Sequence, residues 1–187
     1  MEIIRVPEDV NRAIDSLVDY MQGMVTDGES WLLIGIANGG IALAGELQRR
    51  FATATGLQLP MGELNVSFHR DDIGSRPITR PKEPTRLPDE VHHRSVILVD
   101  DVIHSGRTIR AALDELFEHG RPKRVRLLTL VDRGHRVVPI QPDYAAISFD
   151  MDETRKLHVV IDPDDAHGNR IWVQSTQQGN EVGVLNT

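Results

Sequence analysis

The sequence predicts an α/β fold, a mostly parallel twisted sheet with helices on both faces. Three observations carry this expectation. The short apolar runs Trp31–Ile36 and Val96–Val99 have the length and branched aliphatic content of buried strands, and Val125–Val131 reads as the next strand. Between them lie stretches whose apolar residues recur at three-to-four spacing, as amphipathic helices require. The two patterns alternate along the chain, which is the order that joins parallel strands through helical crossovers.

The first of these patterns, in chain order, is a helix with Val10, Ile14, Leu17, Val18 and Met21 on one face, opened by Pro7-Glu8-Asp9 and ending near Gly23. Trp31–Ile36 is a buried strand, Ala37-Asn38-Gly39-Gly40 a tight loop, and Ile41, Ala44, Leu47 and Phe51 mark the next helix. Leu64, Val66 and Phe68 alternate with polar residues in the manner of a strand. Residues 73–94 then carry Pro77, Pro81, Pro84 and Pro88 among many charges, which excludes a regular core element and reads as a surface excursion or a flexible hood over a site. Val96–Val99 is the clearest buried strand. Ile109, Ala112, Leu113, Leu116 and Phe117 follow on one helical face, stopped by Gly120 and Pro122. Further strands are expected at Val125–Val131, Tyr144–Phe149, Leu157–Ile161 and Ile171–Val173, the last two joined as a hairpin through Pro163–Asn169.

The 187 residues, 40% hydrophobic and 26% charged, suit a single domain over 1–187, with 150–187 as a C-terminal extension. The absence of cysteine excludes disulfides, thiolate catalysis and cysteine-held zinc, and is compatible with a reducing, cytoplasmic setting. No apolar run is long enough to span a bilayer, so no membrane partner is expected. Met1–Arg5 lacks the layout of a signal peptide. The formal net charge of −7 opposes non-specific binding to nucleic acid.

The chemistry concentrates in Val96-Ile-Leu-Val-Asp-Asp-Val-Ile-His-Ser-Gly-Arg-Thr108. Two acids, Asp100 and Asp101, end a buried strand, and a short loop leads into a helix. Gly106 lets backbone approach a ligand, Ser105 and Thr108 offer hydroxyls, and the helix N–H groups can meet a phosphate. Carboxylates beside a phosphate site accept hydrogen bonds from a diol or ligate magnesium. A phosphate and a vicinal diol at this separation describe a ribose 5-phosphate. The sequence holds no G-x-x-x-x-G-K-[ST] loop, no G-x-G-x-x-G fingerprint and no G-x-S-x-G elbow.

This run resembles the phosphoribosyl-diphosphate signature of type I phosphoribosyltransferases. Ser105-Gly-Arg-Thr-Ile-Arg-Ala-Ala, Gly120-Arg-Pro and Leu130-Val-Asp-Arg-Gly-His-Arg136 narrow the resemblance to the bifunctional pyrimidine-operon regulator and uracil phosphoribosyltransferase family. Gly62-Glu-Leu, Arg70-Asp-Asp72 and Pro139-Ile-x-Pro-Asp-Tyr144 fit the same family. The resemblance implies transfer of phosphoribosyl from phosphoribosyl diphosphate to uracil, giving UMP and pyrophosphate, with magnesium arriving on the substrate rather than held by the protein alone. It gives Asp100 and Asp101 to the ribose hydroxyls and the charge developing at the sugar, and His104, Ser105, Gly106, Arg107 and Thr108 to the 5-phosphate. Asn38, Gly39 and Gly40 become the pyrophosphate loop, and Arg70 and Asp71 the base of the hood, near pyrophosphate. Ile103, Asp132 and Arg133 border the uracil, and His135 and Arg136 match positions that RNA-binding members use. The family also implies a homodimer or larger assembly.

Two positions depart from the pattern. Many members have Thr-Arg-Gly in the pyrophosphate loop where this chain has Asn38-Gly39-Gly40, so catalysis is weaker or Arg70 substitutes. Gln141 stands where an arginine of the RNA face is expected. Three readings therefore stay open: a UMP-forming enzyme, a sensor of UMP or phosphoribosyl diphosphate that binds pyrimidine-operon leader RNA, and a purine-type phosphoribosyltransferase.

Overall fold

The computed structural model describes residues 2–25, 28–66, 84–88, 91–151 and 154–175. In chain order the elements are β1 (Glu2–Arg5), α1 (Pro7–Met24), β2 (Trp31–Ile36), α2 (Ala37–Thr55), β3 (Met61–Leu64), β4 (Ser95–Ile103), α3 (Arg107–Glu118), β5 (Arg124–Asp132), β6 (Tyr144–Ser148), β7 (Arg155–Val160) and β8 (Arg170–Ser175). A 3₁₀ turn, Ala166–Gly168, links the last two strands.

Five strands form one sheet in the order β3-β2-β4-β5-β6, every neighbouring pair parallel. The expected parallel sheet is therefore present, with β4 as its central strand. All six residues of β2 are buried, as a strand covered on both faces requires. One face packs α1 and α2: Ile14, Leu17, Met21, Leu43, Leu47 and Phe51 meet Leu33, Ile97, Val99, Leu128 and Leu130. The other packs α3: Ile109, Ala112 and Leu116 meet Leu32, Ile34, Val96 and Leu98. Helices thus cover both faces. Fully burying aliphatic side chains of this kind contributes about 1.5–3 kcal/mol each.

A second, antiparallel sheet has the order β1-β8-β7. The expected C-terminal hairpin is its β7-β8 pair. Strand β1 has no counterpart among the expected elements. It is four residues long, and its partner lies at the far end of the chain, Ile3 pairing with Trp172.

Several expectations are corrected. Ala37–Gly40 is not a separate loop, because α2 begins at Ala37 and the glycines form its first turn. The strand expected over Leu64–Phe68 lies earlier, at Met61–Leu64, and Phe68 lies outside the described residues. Strand β4 does not stop at Val99. Its ladder with β5 continues through Asp100–Thr129, Val102–Val131 and Ile103–Asp132, so the two acids lie within the strand. Phe117 leaves the apolar face of α3 and is 54% exposed.

The segment 73–94 is described only in part. Within it, Arg86 exchanges both backbone hydrogen bonds with Glu63, at 2.7 and 2.8 Å, and so covers the edge of β3. The Thr85 hydroxyl donates to Glu115 Oε1 at 2.9 Å. Val91 is fully buried. Residues 84–88 and 91–94 are therefore docked against the body, and residues 73–83 lie outside the described residues together with Arg70 and Asp71.

Candidate active site

The carboxyl ends of β2, β4 and β5 lie side by side, and Asp100, Asp101, Ile103 and the start of α2 lie at that edge. This is the edge at which open parallel sheets take ligands. Asp100 is only 5% exposed, and its Oδ1 accepts the Asp101 N–H at 3.0 Å. Asp101 is half-buried and faces the first turn of α2. A Cβ built on Gly39 would stand 2.3 Å from the Asp101 carboxylate, and one on Gly40 would stand 2.4 Å from the Val99 carbonyl oxygen. Gly40 is therefore demanded by close approach to backbone, and a Cβ at Gly39 would force the Asp101 carboxylate aside: helix α2 starts directly against the end of β4. No side chain caps α2 and its first turn holds no acid; the Asp101 carboxylate stands against that turn, at the helix's positive end. Ala37, the first residue of α2, has a left-handed φ of 49°.

Beyond β4, His104 and Ser105 lead to Gly106, which caps α3 in a left-handed conformation with φ 87°. That conformation favours glycine, and a Cβ there would also meet the Val138 carbonyl at 3.3 Å. The Gly106 carbonyl accepts from Arg110 N–H at 2.9 Å, and the Ser105 hydroxyl accepts from Arg107 N–H at 3.2 Å. No acid occupies the first turn of α3, which leaves its dipole to an anionic ligand. Ser105 is buried and Arg107 is exposed.

A pocket of about 150 Å³ opens at this edge. Asp100, Ile103, His104, Gly106, Thr108 and Arg133 line it, all singled out in the sequence. Val102, Ile109, Lys156 and Leu157 complete the wall. Lys156 and Leu157 come from β7, and no motif around them signals a site. Only the tertiary fold brings the hairpin to the sheet edge. Arg133 is 8% exposed; its backbone N–H donates to the Ile103 carbonyl at 3.1 Å and its Nη2 to the Arg155 carbonyl at 3.3 Å. It thereby ties the β5 end to both β4 and β7.

The remaining singled-out residues lie in the connection after β5. Asp132 accepts the Gly134 N–H on Oδ1 at 2.9 Å and Arg136 Nη2 on Oδ2 at 2.6 Å. Arg136 is turned inward, its side chain 12% exposed. His135 is 44% exposed and stands 3.1 Å from Asp150 Oδ1. Among the described residues no cluster of three or more His, Asp or Glu side chains is placed to hold a metal ion.

The sheet order, the acid pair and the glycine-capped helix define a phosphoribosyltransferase. The phosphoribosyl transferase domain family matches residues 6–159. The chain is 42% identical over 137 residues to the bifunctional protein PyrR of Microcystis aeruginosa, covering 73% of this chain and 77% of that protein. It is 44% identical over 144 residues to the bifunctional protein PyrR of Brevibacillus brevis, covering 77% and 78%. Among solved structures it resembles hypoxanthine phosphoribosyltransferases of Staphylococcus aureus (TM-score 0.65, 18% identity, 82% and 79% covered) and Trypanosoma cruzi (TM-score 0.65, 18% identity, 94% and 97% covered). Those two likenesses speak for the fold alone. The chain belongs to the PyrR family of type I phosphoribosyltransferases.

Proposed function

We propose that the chain transfers the phosphoribosyl group of 5-phosphoribosyl-1-diphosphate to uracil, forming UMP and releasing pyrophosphate. The observation that carries this is the meeting, at one sheet edge, of the Asp100-Asp101 pair with the glycine-capped start of α3. In this reading the α3 cap, from His104 to Thr108, takes the 5-phosphate. Asp100 and Asp101 take the ribose hydroxyls, and Gly39 and Gly40, against Asp101, give the diphosphate access to the start of α2. Uracil lies toward Ile103 and Arg133, with Lys156 and Leu157 on its far side.

Uracil N1 forms the new bond to C1 of the ribose as the bond from C1 to the diphosphate oxygen breaks, and the N1 proton leaves to solvent or to the departing pyrophosphate. Positive charge grows at the sugar, and the buried Asp100 carboxylate is placed to offset it. The leaving group is already good, so positioning contributes more than proton transfer. Magnesium fits as an ion carried in on the diphosphate, because two adjacent carboxylates suit a hard cation that keeps most of its ligands from phosphate and water. Bound there it would neutralise the departing pyrophosphate. Arg70 and Asp71 are assigned to the pyrophosphate side on the family resemblance.

The test of the site is a pair of substitutions. Asp100→Asn with Asp101→Asn removes both charges at constant size. Turnover falls below detection while far-UV circular dichroism and melting stay near wild type. Unchanged turnover contradicts the assignment.

Control of pyrimidine genes through leader RNA is the second reading, favoured by the relatives' shared description as bifunctional. His135 is the exposed basic group it would use. We also expect a homo-oligomer acting at cytoplasmic sites of nucleotide synthesis.

A further inference from the structure

The connection from β5 to β6 joins two parallel strands through residues 133–143 and contains no helix. Parallel crossovers are ordinarily helical, and a helix satisfies its own carbonyls. Here one side chain takes up two of the connection's carbonyls. Arg136 donates from Nε to the Ile140 carbonyl at 2.9 Å and from Nη1 to the Gly134 carbonyl at 3.3 Å. Its Nη2 meets Asp132 Oδ2 at 2.6 Å and Gln141 Oε1 at 3.3 Å. A further bond leaves the connection altogether: Nη1 donates to the His104 carbonyl at 2.7 Å, in the loop that caps α3.

The same two segments meet again next door. Val137 and Val138 N–H both donate to the Ser105 carbonyl at 2.9 Å. Successive carbonyls of the loop, at 104 and 105, thus point into the β5–β6 connection. In a planar trans peptide the N–H lies opposite the C=O. The Ser105 and Gly106 N–H groups are therefore aimed away from the connection by the bonds that hold the preceding carbonyls in it.

We infer that Arg136 is a positioning residue for the 5-phosphate: by fixing the His104 carbonyl, it sets the direction of the loop N–H groups that receive the phosphate. The inference rests on the phosphate site proposed above. It also gives Arg136 a role inside the site, distinct from an RNA contact.

The experiment compares UMP with uridine, which differ by the phosphate alone. Calorimetric affinities are measured for the wild type, Arg136→Ala and Arg136→Lys. Wild type prefers UMP. Arg136→Ala reduces the UMP-to-uridine preference roughly tenfold or more, the scale of a lost charged hydrogen bond, while uridine affinity falls by much less. Arg136→Lys, which keeps the charge but not the fork, falls between, and guanidinium ion restores part of the preference to Arg136→Ala. Equal losses for UMP and uridine would overturn the inference, because they mean general disorder of the site. A full UMP preference in Arg136→Lys without any in the guanidinium-treated alanine variant would also overturn it. Absence of any UMP preference in the wild type would instead remove the phosphate site itself. Should Arg136→Ala not fold, the lysine variant alone decides between a graded and an unchanged preference.

Discussion

At the scale of single residues, the two glycines at the start of α2 separate packing from chemistry. Gly40 faces backbone, the Val99 carbonyl, at a distance no Cβ can adopt. Gly40→Ala must push α2 off β4, so it lowers the melting temperature and activity together. Gly39 faces a side chain, the Asp101 carboxylate. Gly39→Ala displaces that carboxylate more easily than it displaces the helix, so turnover drops well before stability does. Thermal melts and pyrophosphate release on the two variants check the contrast, and equal stability losses in both would contradict it. Asp100, Ile103, His104, Gly106 and Thr108, which line one pocket, are legible in the sequence because a local run encodes strand, loop and helix start together. Lys156 and Leu157 were illegible, since a lone lysine before an aliphatic residue carries no local signal. The engagement of Arg136 with His104 was equally hidden, as it joins residues 32 apart in the chain.

At the scale of elements, the parallel sheet is clamped at the end opposite the site. Glu29, just before β2, accepts from Lys123 Nζ at 2.9 Å and from the Ser95 hydroxyl at 2.8 Å, and stands 3.5 Å from Arg124. The bonds from Lys123 and Ser95, with the charge of Arg124, hold the Glu29 carboxyl below the usual glutamate range. A depressed carboxylate stabilises the fold at pH above its ordinary value, and that contribution is lost as pH falls through the lowered value. The melting-temperature gap between wild type and Glu29→Gln is therefore open at neutral pH and closes on acidification. A gap that widened in acid would contradict the sign. The hydrophobic faces of the elements are simpler to predict. Leu98 of β4 is fully buried in the cluster beneath α3, and Leu98→Ala costs about 2–5 kcal/mol in denaturant unfolding.

Element type was legible wherever periodicity was strong, and element ends were not. Two acids suggested that β4 stops at Val99, yet a strand ends where its ladder ends, and β5 supplies partners as far as Asp132. Phe117 was placed on the apolar face of α3 by spacing from Ile109. Eight residues carry it roughly 80° around the helix from Ile109, enough to reach solvent. Strand β1 gave no signal because four residues carry too little alternation, and pairing with β8 creates it only after folding.

At the scale of the whole molecule, the acidic balance and the site are set apart. The chain carries a net charge of −7, yet its pocket brings Arg133 and Lys156 beside Asp100. Local cations, not overall charge, would draw in a polyphosphate ligand. Saturating phosphoribosyl diphosphate with magnesium should then raise stability by about 2.7 kcal/mol at a hundredfold excess over its Kd. Thermal melts read this directly, and no shift would argue against substrate binding at the sheet edge. Any leader-RNA complex of so acidic a chain must rest on a local basic face and weaken steeply with salt.

The most direct test of the central claim is pyrophosphate release with phosphoribosyl diphosphate, magnesium and each nucleobase supplied in turn. Release with uracil, and not with the purine bases, is the result expected of a UMP-forming phosphoribosyltransferase. Release only with a purine base, or binding of UMP with no release from any base, would contradict it.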